Sequence, residues 1–213
     1  MAKKTILFYG DSNTHGTKPM PSADSTERFQ LDERWPGILH QQLKQDYHII
    51  EEGLPGRTTV HNDPIEGSHK NGLAYLRPCL ESHRPIDIIV LMLGTNDLKA
   101  RFSVTPADIA HSIHHLIIEI KSCQTNPQSD HPKILLLCPA PILEIGELGE
   151  IFAGGEEKSK HLARYYKKIA DNHKISFFDI GSVVHVSKID GVHFDSDQHQ
   201  ILAENLQKII TIL

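Results

Sequence analysis

The run Ile86-Asp87-Ile88-Ile89-Val90-Leu91-Met92-Leu93 is apolar at every position but one. A strand with one wet face alternates apolar and polar side chains, so an unbroken run this short belongs to a strand covered on both faces, as in a parallel sheet. It is far below the roughly 20 residues needed to cross a bilayer. Four further short runs, at 5–9, 48–51, 133–138 and 175–179, read as strands. They alternate with amphipathic segments near 34–44, 72–82, 106–122, 156–172 and 196–212. Strand and helix in regular alternation predict an α/β fold with a central five-stranded parallel sheet and helices on both faces. The segment 106–122 is the best marked. Thr105 can cap it, Pro106 suits its first turn, Asp108 favours the helix dipole, and Ile109, Ile113, Leu116, Ile117 and Ile120 recur at helical spacing.

A chain of 213 residues with this single pattern predicts one domain, 1–213. The formal net charge of −5, with no long Lys/Arg block, offers no footprint for nucleic acid or an anionic membrane. A small neutral or hydrophobic substrate is expected instead. The opening Met1-Ala2-Lys3-Lys4 starts like a signal peptide, but Gly10-Asp11 interrupts the apolar stretch and the segment reads as a first strand. Cys79, Cys123 and Cys138 are odd in number and widely spaced, which argues against a disulfide framework and for a reducing, cytoplasmic location.

Ligands of such sheets bind beyond the carboxyl ends of the strands. Four loops there are polar or glycine-rich: 10–13, 53–59, 94–97 and the segment ending at 190–194. Ser12 directly follows the first strand and is a candidate nucleophile. A serine needs a base to take its proton, and the base needs an orienting partner on its other ring nitrogen. His193 and Asp190, three residues apart, can form that pair within one turn. An oxyanion would need fixed donors, and the backbone N–H groups of Ser12 and Gly56 and the side-chain amide of Asn96 are the candidates. Glycine at 56 lets the backbone approach a substrate closely.

The ordered set Gly10-Asp11-Ser12, Gly56, Gly94-Thr95-Asn96-Asp97 and Asp190-Gly191-Val192-His193 resembles the four blocks of the SGNH (GDSL-type) hydrolase superfamily. Glu33-Arg34-Trp35-Pro36-Gly37, Glu51-Glu52-Gly53-Leu54, Arg57-Thr58-Thr59 and 91–99 resemble its arylesterase branch, which includes an oligomeric enzyme that also transfers acyl groups to alcohols and peroxide. The resemblance implies a flavodoxin-like three-layer α/β/α sandwich and a catalytic triad of Ser12, Asp190 and His193. It also implies an oxyanion hole of Ser12, Gly56 and Asn96, no cofactor or metal in the site, and a homo-oligomer. The implied reaction is hydrolysis of short-chain aryl or acetyl esters through an acyl-enzyme, with acyl transfer as an extension and a sugar-acetate deacetylase as the variant reading. Asn13 departs from the leucine of the GDSL motif.

Other features carry blander readings. Asp11 ties the serine turn together, Asp97 caps the segment after it, Arg57 orients the second loop, and Trp35 is core rather than pocket. His111 and His115 lie one helical turn apart but lack the intervening Glu of H-E-x-x-H and a third ligand, so they read as a solvated face. A phosphate cradle at 10–16 lacks both glycine-loop signatures. The apolar-rich loop 139–155 is expected to wall an acyl pocket, form a subunit interface, or both.

Overall fold

The computed structural model describes residues 3–127 and 131–213. Five parallel strands, β1 (Lys4–Gly10), β2 (Tyr47–Gly53), β3 (Ile88–Met92), β4 (Lys133–Cys138) and β5 (Ser176–Asp179), form one sheet in the order β2-β1-β3-β4-β5. Around it lie α1 (Ser12–His15), α2 (Trp35–Leu43), α3 (Gly72–Ser82), α4 (Pro106–Ser122), α5 (Gly155–Ser159), α6 (Leu162–His173) and α7 (Ser196–Ile210). The fold is the expected α/β class.

The all-apolar run explains the layering. Ile89 and Leu91 of β3 pack with Leu76, Ile113 and Tyr166 from α3, α4 and α6, while Ile88, Val90 and Met92 pack with Trp35, Leu39 and Leu206 from α2 and α7. Both faces of β3 are buried, and each fully buried aliphatic side chain contributes about 2 kcal/mol of transfer free energy. β3 is shorter than the run because its ends turn to other tasks. Asp87 accepts from the Thr5 amide through Oδ2 at 2.7 Å, and beyond Leu93 the chain turns at Gly94, whose φ of 122° only glycine adopts readily.

α4 starts as expected, with reciprocal hydrogen bonds between Thr105 and Asp108. The segment expected as one helix over 156–172 is instead two, α5 and α6. Ser159 supplies the reason: its Oγ donates to the Glu156 carbonyl at 2.7 Å and accepts from the Ile142 amide at 3.1 Å, so the chain bends to satisfy the loop before α5. Cys79, Cys123 and Cys138 are buried free thiols. No helix among the described residues is long and apolar enough to cross a membrane.

The strand order reverses direction between β1 and β3. Connections leaving these two strands diverge, and a crevice opens at their carboxyl ends. Ser12 follows β1 and Asn96 follows β3, so the topology alone brings them to that crevice.

Candidate active site

Ser12 opens the single turn of α1. The Asp11 carboxylate accepts from the Asn13 amide at 3.0 Å, and the Asp11 carbonyl accepts from Thr14 and His15 at 3.1 and 2.9 Å, which fixes the turn without any longer helix. Gly10 is required by contact: a Cβ there would lie 2.0 Å from Thr14 Oγ1. Ser12 is nearly buried.

The Asp190–His193 turn is built differently. Asp190 is fully buried and its carboxylate gathers four donors: His193 Nδ1 at 2.6 Å, the Met20 amide at 2.7 Å, and the Val192 and His193 amides at 2.9 and 3.0 Å. Burial pushes its pKa up, but the His193 hydrogen bond and charge, with the two backbone amides of Val192 and His193, outweigh it and hold the carboxyl below its usual value. An ionised carboxylate only accepts, so Nδ1 carries the imidazole proton and Nε2 is left as the basic nitrogen.

The two turns are fastened by Asn13. Its Nδ2 donates to the Val192 carbonyl at 3.0 Å and its Oδ1 accepts from the Phe194 amide at 3.2 Å, so one side chain grips the backbone on both sides of His193. The Asn13 carbonyl in turn accepts from Trp35 Nε1 at 2.9 Å. Trp35 is therefore core, as expected, with its ring 4.7 Å from Phe8. The Asn13 clamp was not anticipated from the sequence, although a polar residue in place of the motif's leucine was its visible signal.

Ser12, Gly56, Asn96 and His193 line one cavity of about 690 Å³. Gly56 has a φ of 78°, and a Cβ there would lie 2.3 Å from Glu66 Oε2. Among the described residues neither the Ser12 nor the Gly56 amide is engaged by a protein acceptor. Asn96 donates one Nδ2 proton to the Arg57 carbonyl at 3.1 Å, leaving the other proton uncommitted. Arg57 is buried, with its guanidinium 4.2 Å from the Tyr9 ring centroid and NH1 on the Gly10 carbonyl at 2.9 Å, so it does orient the second loop. Asp97 is structural by another route than capping: its carboxylate accepts from the Thr59 amide at 3.0 Å and ties the second and third loops together.

Leu148, Ile151 and Phe152 wall the cavity, which places the 139–155 loop over the site. The same cavity carries a charged rim that the sequence reading missed. Lys99 pairs with Glu66, and Arg101 pairs with Asp63 at 2.6 Å and Glu66 at 2.5 Å. His111 and His115 are exposed on α4, as read. Asp11 is enclosed in the same site, and burial raises its carboxyl to about 6 against the lowering effects of the Asn13 amide and His193.

A histidine paired with a buried acid shares one cavity with a serine at the switch point of a doubly wound sheet, the arrangement a serine hydrolase uses. The chain belongs to the GDSL-like lipase/acylhydrolase family, whose model matches residues 8–201. It is similar to the solved aryl esterase of M. smegmatis, with 40% identity, 99% of each chain covered and a TM-score of 0.93. It is likewise similar to a carbohydrate acetylesterase from Sinorhizobium meliloti, with 36% identity, 99% of each chain covered and a TM-score of 0.93. A curated relative, an uncharacterized protein of Mycoplasma pneumoniae, is 29% identical over 144 residues, which are 66% of this chain and 14% of that protein. The chain thus spans only a small part of the curated relative it matches.

Proposed function

We propose that Ser12, His193 and Asp190 form the catalytic triad of a single-domain esterase acting on short acyl esters. Ser12 Oγ attacks the ester carbonyl carbon while its proton passes to His193 Nε2, and Asp190 stabilises the imidazolium that results. The oxyanion is met by the Ser12 and Gly56 amides and the Asn96 side chain, each worth on the order of 3 kcal/mol. The tetrahedral intermediate collapses as His193 returns the proton to the leaving alcohol. Water, deprotonated by the same histidine, then frees the acid and restores Ser12.

The observation that carries this reading is the 2.6 Å hydrogen bond between His193 Nδ1 and the Asp190 carboxylate, made by a histidine that lines the same cavity as Ser12. Support for short aryl or acetyl esters comes from the two solved relatives, one an aryl esterase and one a carbohydrate acetylesterase. The apolar wall of Leu148, Ile151 and Phe152 suits an acyl or aryl group, and the Lys99–Glu66–Arg101 rim suits a hydroxylated alcohol. An alcohol or peroxide that reaches the acyl-enzyme in place of water gives transesterification or perhydrolysis, favoured if a second subunit narrows the cavity. A cytoplasmic homo-oligomer is part of the same proposal.

Ser12→Ala is expected to abolish p-nitrophenyl acetate turnover and fluorophosphonate labelling while leaving the circular dichroism spectrum unchanged. Retained turnover in that variant removes the assignment. Full activity in excess chelator is expected, since no step of this mechanism uses a metal.

A further inference from the structure

On the far side of Arg57 from the crevice, where the end of β2 meets α3, three side chains of different donor chemistry converge. The Glu52 carboxylate, the Cys79 thiol and the His83 imidazole each offer a ligand atom, and these atoms all lie within 4.8 Å of one another. Cys79 and His83 are four residues apart at the end of α3, so one helical turn aligns them, and Glu52 faces them from the strand. His83 Nε2 is 2.8 Å from Glu52 Oε1, and the Tyr75 hydroxyl is 3.5 Å from the same oxygen. Glu52 and Tyr75 also border a second cavity, of about 500 Å³, distinct from the one that holds Ser12.

We propose that Glu52, Cys79 and His83 form a binding site for a thiophilic divalent cation, with zinc the best fit. One sulfur, one nitrogen and one oxygen ligand match the mixed preference of zinc, and a water from the adjoining cavity completes a tetrahedron. Magnesium and calcium, which take oxygen ligands, are disfavoured by the thiol and imidazole. Ligand atoms around a tetrahedral zinc stand about 3.5 Å apart, given metal–ligand distances near 2.0–2.3 Å. The cluster must therefore contract modestly, and His83, with 31% of its side chain exposed, is free to move.

Two features oppose the ion, and the three ligands must outweigh them. The Arg57 guanidinium lies 3.9 Å from Glu52 Oε2 and competes for the carboxylate. Cys79 is fully buried, so the ion enters from the His83 side and displaces the thiol proton to solvent as the sulfur–metal bond forms. Because Arg57 also holds the Gly10 carbonyl at 2.9 Å, the test reads metal binding directly and not esterase turnover.

The test uses the full chain, stripped with chelator and titrated with Zn²⁺ against a chromogenic chelator, then with Co²⁺ as a spectroscopic probe. One tightly bound equivalent is expected, with a near-ultraviolet thiolate-to-cobalt band. His83→Ala should weaken Zn²⁺ binding by tenfold or more, on the order of what lost ligation support costs metal sites, and Cys79→Ser should erase the band. Should Cys79→Ser fail to fold, the wild-type band and the loss of affinity in His83→Ala still decide. No tight Zn²⁺ uptake, a Co²⁺ complex without the band, or unchanged affinity in His83→Ala overturns the proposal; the last would assign uptake to other histidines, such as the His114–His173 pair at 2.7 Å.

Discussion

The serine turn and the histidine turn each bury one aspartate, yet the two carboxyls respond in opposite directions. Asp190 collects four donors and is held below its usual pKa, whereas Asp11 is raised by burial to about 6. Burial is common to both, so it is the supply of donors that decides which carboxylate stays charged near neutrality. The contrast also separates roles: Asp190, held ionised near neutral pH, suits orienting a histidine, and Asp11 serves mainly as the anchor of a turn.

The largest break in this comparison should come from Asp190→Asn. An amide in place of the carboxylate can present an N–H to His193 and invert its tautomer, so kcat is expected to fall by about 10⁴, as for the acidic member of other triads. A loss below tenfold, measured with p-nitrophenyl acetate, would detach Asp190 from the chemistry.

Asn13→Leu restores the side chain of the GDSL motif but removes the clamp on both sides of His193. Since misplacing a catalytic group costs rate more than binding, kcat should drop roughly 10-fold to 100-fold with little change in KM. A change confined to KM would show that the clamp shapes the pocket rather than the histidine.

The smallest effect concerns stability. Burial raises the folded Asp11 carboxyl to about 6, above the ordinary aspartate value of 3.8, so the folded state binds the extra proton and stability falls as pH rises through that window. For Asp190, with a depressed folded pKa, the sign is opposite: its contribution is present above the unfolded value and is lost as pH falls through the folded one. Asp11→Asn should therefore gain stability over the wild type between pH 4 and 6, by on the order of 1–3 kcal/mol in urea unfolding. A difference that stays flat across this window would contradict the raised Asp11 carboxyl.

Much of the fold could be read from local pattern. The apolar run at β3 implied two covered faces, and Thr105, Pro106 and Asp108 marked the start of α4, because capping and periodicity act within a few residues. The split between α5 and α6 was hidden, since the Ser159 hydroxyl that bends the chain answers to an amide at Ile142, well before it in sequence. The site followed the same division. Ser12, Gly56, Asn96, Asp190 and His193 were each visible at the end of a strand or in a short motif, and Asp190–His193 pairing needs only a separation of three. The Asn13 clamp, the Met20 amide on Asp190 and the Lys99–Glu66–Arg101 rim join residues far apart in the chain, and no local spacing encodes them.

What the amino-acid order determined by itself is the alternation of strands and helices and the chemistry available at each strand end, because hydrophobic period and turn residues act over short range. What only the tertiary structure decided is which of those groups face one another and which carboxylate keeps its charge. Those outcomes depend on donors and burial contributed by distant segments, which meet only once the sheet has closed around β3.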